Sequence, residues 1–84
     1  MKATINETKA IIVGLNVDPR RWTREDAMRV RDYCQATGLD KTEILPPIPG
    51  KNESATWARI EENGKLVVWF FSGMCKTEYT INFV

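Results

Sequence analysis

The chain has 84 residues, and its 12 basic and 11 acidic side chains leave a net charge of +1. This near-neutral balance excludes the global positive field of a general polyanion-binding protein, although a local basic patch can still form. The length predicts one small domain spanning residues 1–84. No stretch approaches the roughly 20 apolar residues of a membrane span. The start of the chain lacks the apolar core of a secretion signal, so we expect a cytoplasmic protein.

The first predicted element lies within residues 4–15, where two patterns compete. Thr4 and Glu7 have the spacing of a capping box, and a stripe along one helical face follows them: Thr8, Ile11, Ile12 and Leu15. The β-branched run 11–13 favours a short strand instead. We favour the helix, with Gly14 at its end.

The strongest helix signal lies between Thr23 and Gly38. Thr23 is a preferred N-cap residue, and Asp26 stands three residues later, where its carboxylate can complete a capping box. Gly38 suits the left-handed conformation that ends many helices. The inward stripe of this helix is predicted to be Ala27, Val30 and Cys34.

Residues 40–45 are predicted to form one further helical turn. Pro46 and Pro47 would end that turn, because proline cannot continue a helix. Residues 46–54, which are rigid or polar, then form a loop between a helical half and a β half.

From Ala55 to Val84 the sequence is typical of a three-stranded antiparallel meander. Asn63-Gly64 between two strand-like runs is a strong hairpin signal, and a two-residue type I′ turn there would pair Ile60 with Val67. Residues 72–76 form the second connection. The predicted fold class is therefore α+β, with one or two N-terminal helices packed on a C-terminal three-stranded antiparallel β-meander.

This register gives the predicted meander apolar side chains on both faces. One face carries Trp69 with Tyr79 beside it, and the other carries Trp57, Leu66, Val68 and Phe70. Either the rest of the chain or a partner must cover the second face. Aromatic residues and arginine are enriched in protein interfaces, so we predict a protein-binding surface made of Trp57, Arg59, Leu66, Val68 and Phe70.

A second candidate site is the arginine-rich start of the long helix. It consists of Arg20, Arg21, Trp22, Arg24 and Arg31. Arginines at a helix N-terminus can bind phosphate or an acidic protein surface, and an aromatic ring among them can stack on a base. The alternative is purely structural, with Trp22 packed as a hydrophobic staple and the arginines solvated among acidic neighbours.

Catalytic and metal chemistry receive little support from the sequence. Histidine is absent, which removes the commonest general base and metal ligand, and Cys34 and Cys75 are too far apart in sequence to suggest a zinc site. In a reducing compartment both cysteines are expected to be free thiols. We therefore expect no enzyme activity, no cofactor and no metal.

The resulting hypothesis is a small non-catalytic binding protein, such as an adaptor, inhibitor or regulatory subunit, with a protein partner. The runner-up is a nucleic-acid-binding regulator that uses the arginine-rich helix start. A third alternative is self-association through the sheet, in which the partner is another copy of the chain.

Overall fold

The computed structural model describes residues 10–39, 41–48 and 54–83. Within these ranges the protein is α+β, with one α-helix and a mixed five-stranded sheet of strand order β1-β2-β3-β4-β5. The elements in chain order are β1 (Ala10–Val13), a 3₁₀ turn (Pro19–Arg21), α1 (Arg24–Thr37), β2 (Thr42–Leu45), β3 (Ser54–Ile60), β4 (Leu66–Ser72) and β5 (Cys75–Ile81).

The chain path explains why the sheet is mixed. β1 and β2 are parallel neighbours, and α1 lies between them in sequence and returns the chain across the sheet. The pairs β2–β3, β3–β4 and β4–β5 are antiparallel, so the predicted three-stranded meander is present as β3–β5 but is extended by two more strands.

The long helix forms as predicted. Thr23 is its N-cap, and the Thr23 and Asp26 side chains complete a reciprocal capping box. Gly38 ends the helix in the left-handed conformation, with a φ of +67°. The predicted inward stripe of Ala27, Val30 and Cys34 is buried.

The predicted helix at residues 4–15 is wrong where the structure describes it. Ala10–Val13 is strand β1, while residues 1–9, including the proposed capping box, lie outside the described residues. The β-branched run therefore follows its strand preference, and pairing with β2 supplies the hydrogen bonds that a short helix would have made internally.

The predicted helical turn at residues 40–45 is also wrong. Thr42–Leu45 is strand β2, which lies between β1 and β3 in the sheet. Thr42 and Ile44 are buried while the residues that follow them are half-buried, which is the period-2 pattern of a strand.

The β3–β4 hairpin has a longer loop than predicted. Its loop residues are Glu62, Asn63 and Gly64, and the Glu61 N–H donates to the Lys65 carbonyl at 2.9 Å across the base. The Gly64 N–H donates to the Glu61 carbonyl at 2.8 Å, and Gly64 has a φ of +89°. This is a three-residue loop with glycine at the left-handed position, so the predicted two-residue type I′ turn is wrong.

The longer loop shifts the β3–β4 register by one residue, so Ile60 pairs with Leu66 rather than with Val67. The second connection is shorter than the predicted 72–76, because Ser72 already pairs with Cys75, and Tyr79 therefore pairs with Val68 rather than with Trp69. Because side chains alternate between the faces of a sheet, this shift moves each residue of β4 to the face opposite the predicted one.

One face of the sheet is covered by α1, and we call it the covered face. Residues of α1 share a buried core with this face, whose members include Ile12, Thr42, Ile44, Thr56, Ala58, Leu66 and Val68. No helix of the described ranges lies on the opposite side, which we call the open face. The register places on it Ile11, Val13, Glu43, Leu45, Trp57, Arg59, Val67, Trp69, Phe71, Lys76, Glu78 and Thr80. Within the described residues no helix is long and apolar enough to cross a membrane.

Candidate binding surface

Two tryptophans lie side by side at the centre of the open face. Trp57 of β3 and Trp69 of β4 are directly paired across the two strands, so their side chains project from the same side of the sheet. Both are half-buried. A paired tryptophan platform of this kind offers a large, rigid contact area that loses little conformational entropy when a partner binds.

Two cations lie over these rings. The Lys41 Nζ is 5.8 Å from the centroid of each tryptophan ring, and the Arg59 Cζ is 5.4 Å from that of Trp69. These distances are within the range of cation–π attraction. Arg59 is also held by an ion pair with Glu61, at 2.9 Å between Nη2 and Oε2. The aromatic platform therefore carries positive charge directly above it.

Further apolar side chains lie on the open face, on β4 beside Trp69 and on β2 and β1. Phe71 and Leu45 are half-buried on the same face, while Ile11 and Val13 are 45% and 53% exposed. The register puts Glu43 between Ile11 and Trp57, so these apolar side chains lie on the same face as the rings but are interrupted by a charge. Exposed apolar side chains near aromatic rings are a common feature of protein-binding sites.

Charges of both signs border the open face. Lys41, Arg59 and Lys76 are accompanied by Glu43 and Glu78, which the register places in line with the two tryptophans. A nucleic-acid backbone favours a surface of uniformly positive charge. The charges of this face are mixed instead.

The structure separates the residues of the predicted protein-binding surface. Trp57 and Arg59 lie on the open face, whereas Leu66 and Val68 are fully buried in the core that contains α1 residues. Phe70 is half-buried on the covered face, where it pairs with Thr56. The prediction that these five residues share one face is wrong, because it depended on the two-residue turn.

Sequence reasoning missed Trp69, Phe71 and Lys41 as members of the surface. The first two follow from a three-residue loop, which the same Asn63-Gly64 dipeptide also fits with glycine at the left-handed third position. Lys41 directly precedes β2, which the sequence predicts as a helical turn. No sequence pattern therefore indicates that Lys41 lies near the tryptophans.

The side chains of the arginine-rich segment differ in their surroundings. The Arg20 Nη2 is 2.9 Å from the Asp18 Oδ2, and this side-chain hydrogen bond lowers the pKa of Asp18 from 3.8 to about 2. Trp22 packs against the hydrophobic core, as the structural alternative expects. Arg21 and Arg24 are exposed at the start of α1.

Arg31 is engaged elsewhere on the helix. Its Nη2 is 3.0 Å from the Asp32 Oδ1, and its Cζ lies 4.7 Å from the centroid of the Phe83 ring. A nucleic acid would therefore have to compete with an ion pair and a ring contact for this guanidinium group.

The two cysteines differ in environment. Cys34 is buried within the core, and burial raises the pKa of its thiol, while Cys75 is exposed at the start of β5. In the described ranges no three histidine, cysteine or acidic residues are grouped as metal ligands would be.

Comparisons with known proteins identify no relative. The chain matches no protein-family model, no curated protein and no solved structure. The chemistry of its own surface is therefore the basis for assigning a function.

Proposed function

We propose that this protein is a non-catalytic binding protein that contacts a partner protein through the open face of its sheet. It would act as an adaptor, an inhibitor or a regulatory subunit. The observation that carries the proposal is the directly paired Trp57 and Trp69, with Lys41 and Arg59 above their rings.

The composition of the open face supports a protein partner. Tryptophan and arginine are the residue types most often found at the energetic centre of protein interfaces. Here they stand together, with the apolar side chains of Ile11 and Val13 at one end of the open face and acidic residues along its length. A partner could insert apolar side chains between the rings and pair its own charges with those of the surface.

Trp57→Ala tests the proposal. The partner is first isolated by affinity capture from a lysate of the source organism, identified and purified, and its affinity is then measured by calorimetry. Loss of an anchoring ring should weaken binding by about 1–4 kcal/mol. Tyr33→Ala is the matched control, because Tyr33 is an exposed aromatic residue of α1, on the other side of the molecule.

If Trp57→Ala bound the partner with unchanged affinity and Tyr33→Ala bound it more weakly, the binding surface would lie on the α1 side of the molecule. Circular dichroism of both variants separates this result from unfolding.

The second candidate function is a nucleic-acid-binding regulator, favoured by the exposed Arg21 and Arg24 at the start of α1. The site would comprise Arg20, Arg21, Trp22, Arg24 and Arg31. Affinity for nucleic acid would then fall steeply with salt concentration, since bound cations are released from the phosphates. Charge reversal at Arg20 and Arg21 would reduce this binding and leave the open face intact.

A further inference from the structure

Strand β5 is an edge of the sheet in the described part of the chain. It pairs with β4 on one side, and five of its seven residues are exposed. We propose that two copies of the protein pair antiparallel through β5 about a two-fold axis, so that their sheets join into one sheet of ten strands. An edge strand carries the backbone donors and acceptors that such pairing requires.

The β4–β5 turn determines which backbone groups are available. Ser72 and Cys75 are paired across the two-residue turn Gly73-Met74, and residues in that position exchange hydrogen bonds with each other. Bonded and non-bonded positions alternate along a strand. The backbone N–H and C=O groups of Lys76, Glu78 and Thr80 therefore point away from β4.

A second copy of β5 must place its own outward-directed residues opposite these ones. A two-fold axis at Lys76 would set lysine against lysine, and an axis at Glu78 would set glutamate against glutamate. Like charges directly opposite each other destabilise a strand pair. An axis at Thr77 instead places Lys76 opposite Glu78 of the second copy, and symmetry repeats this attractive pair.

Charged side chains usually protect an edge strand against pairing with other chains. On β5 the two charges alternate in sign, at Lys76 and Glu78, so they make the antiparallel register centred on Thr77 attractive instead of opposing every register. Thr77 would then face its own symmetry mate, and Thr–Thr pairs are themselves favourable across strands.

The proposed dimer also sets the position of the two open faces. Lys76 and Glu78 belong to the open face, and directly opposed residues of paired strands project from the same side of a sheet. The open faces of both copies would therefore lie on one side and form a continuous surface across the dimer. This proposal is independent of the partner proposed above, since it involves only copies of this chain.

Charge reversal tests the register. The mass of the full-length chain is measured by sedimentation equilibrium over a range of concentrations, and we expect a reversible dimer. Lys76→Glu or Glu78→Lys places like charges opposite each other at both symmetric pairs and should raise the dimer dissociation constant at least about tenfold. The double variant Lys76→Glu/Glu78→Lys restores both pairs and should return the constant to within about threefold of the original.

Lys65→Glu is the matched control, because Lys65 is an exposed lysine at the base of the β3–β4 loop and lies outside β5. It should leave the dimer unchanged. A wild-type chain that is monomeric at every concentration would overturn the proposal. The proposal would also be overturned if the single variants weaken the dimer and the double variant Lys76→Glu/Glu78→Lys does not restore its dissociation constant.

If charge reversal disturbs folding, cross-linking of a cysteine variant tests the register independently. In the proposed register Thr77 faces its own copy in a non-hydrogen-bonded pair, with about 4.5 Å between the Cα atoms, which is within disulfide range. Thr77→Cys in a Cys75→Ser background should cross-link into a disulfide dimer under mild oxidation. Thr80→Cys in the same background should not, because residue 80 lies far from its own copy. Equal cross-linking of the two variants would contradict the register.

Discussion

At the scale of single residues, Thr23 holds the start of α1 with two hydrogen bonds. Its Oγ1 accepts from the Asp26 N–H, and its own N–H donates to the Asp26 Oδ2, each at 3.1 Å. Thr23→Ala removes the first bond and should lower the free energy of unfolding by about 0.5–2 kcal/mol in urea titrations. Gln35→Ala, an exposed change within the same helix, should shift it by less than about 0.5 kcal/mol. Equal effects of the two variants would mean that the cap contributes nothing.

Residue-scale features were predictable where their causes are local. The cap at Thr23, its partner Asp26 and the left-handed Gly38 depend on chemistry within a few positions of the helix ends, and all three appear as predicted. Trp57 and Arg59 share a face because they stand two apart in one strand. Whether Trp69 joins them depends on the length of a turn, which local chemistry did not determine.

At the scale of elements, the β3–β4 loop decides the arrangement of the sheet. Gly64 has a φ of +89°, a conformation that a β-branched residue adopts only under strain. Gly64→Val should therefore lower the free energy of unfolding by about 1–3 kcal/mol, measured by thermal or urea unfolding.

Glu62→Val in the same loop is the control for Gly64→Val. Glu62 is exposed and stands two residues before the left-handed Gly64, so its replacement should cost less than about 0.5 kcal/mol. If both variants were equally stable, the left-handed position would not constrain the hairpin.

The β3–β4 register was predicted wrongly because of the sequence of β4. Every residue from Leu66 to Phe71 is apolar, so the strand shows no alternation that would assign one set of side chains to the core. The Asn63-Gly64 dipeptide fits two loop lengths, and in the structure the Asn63 Oδ1 accepts a hydrogen bond from the Lys65 N–H at 3.0 Å. The observed register places Leu66 and Val68 in the core with residues of α1.

Strands β1 and β2 were missed for a related reason. Each has four residues, too few for a clear periodicity, and each is stabilised by neighbours distant in sequence. Ile12 pairs with Ile44, and Ile44 pairs with Thr56, and all three side chains are buried. Pairing between distant segments therefore prevails over the local helix signals at residues 4–15 and 40–45.

At the scale of the whole molecule, one α-helix is set against five strands in the described ranges. Helix α1 covers one face of the sheet, and the other retains two tryptophans, a phenylalanine and exposed β-branched residues. The second apolar face predicted from the sequence contained Leu66 and Val68, which are buried in the core with α1 residues, so the uncovered face has a different membership from the predicted one. This imbalance is the reason why we propose a binding role for the open face. The β5 edge borders this face and is where we propose that two copies of the chain pair.

Alanine variants of two adjacent β4 residues test the proposed binding surface most directly. Trp69 projects from the open face and Phe70 projects from the covered face. Trp69→Ala should weaken partner binding by about 1–4 kcal/mol while the chain stays folded. Phe70→Ala should lower the free energy of unfolding by about 1–3 kcal/mol and leave the affinity of the folded protein nearly unchanged. The opposite result, with binding lost in Phe70→Ala and retained in Trp69→Ala, would contradict the assignment of the open face as the binding surface.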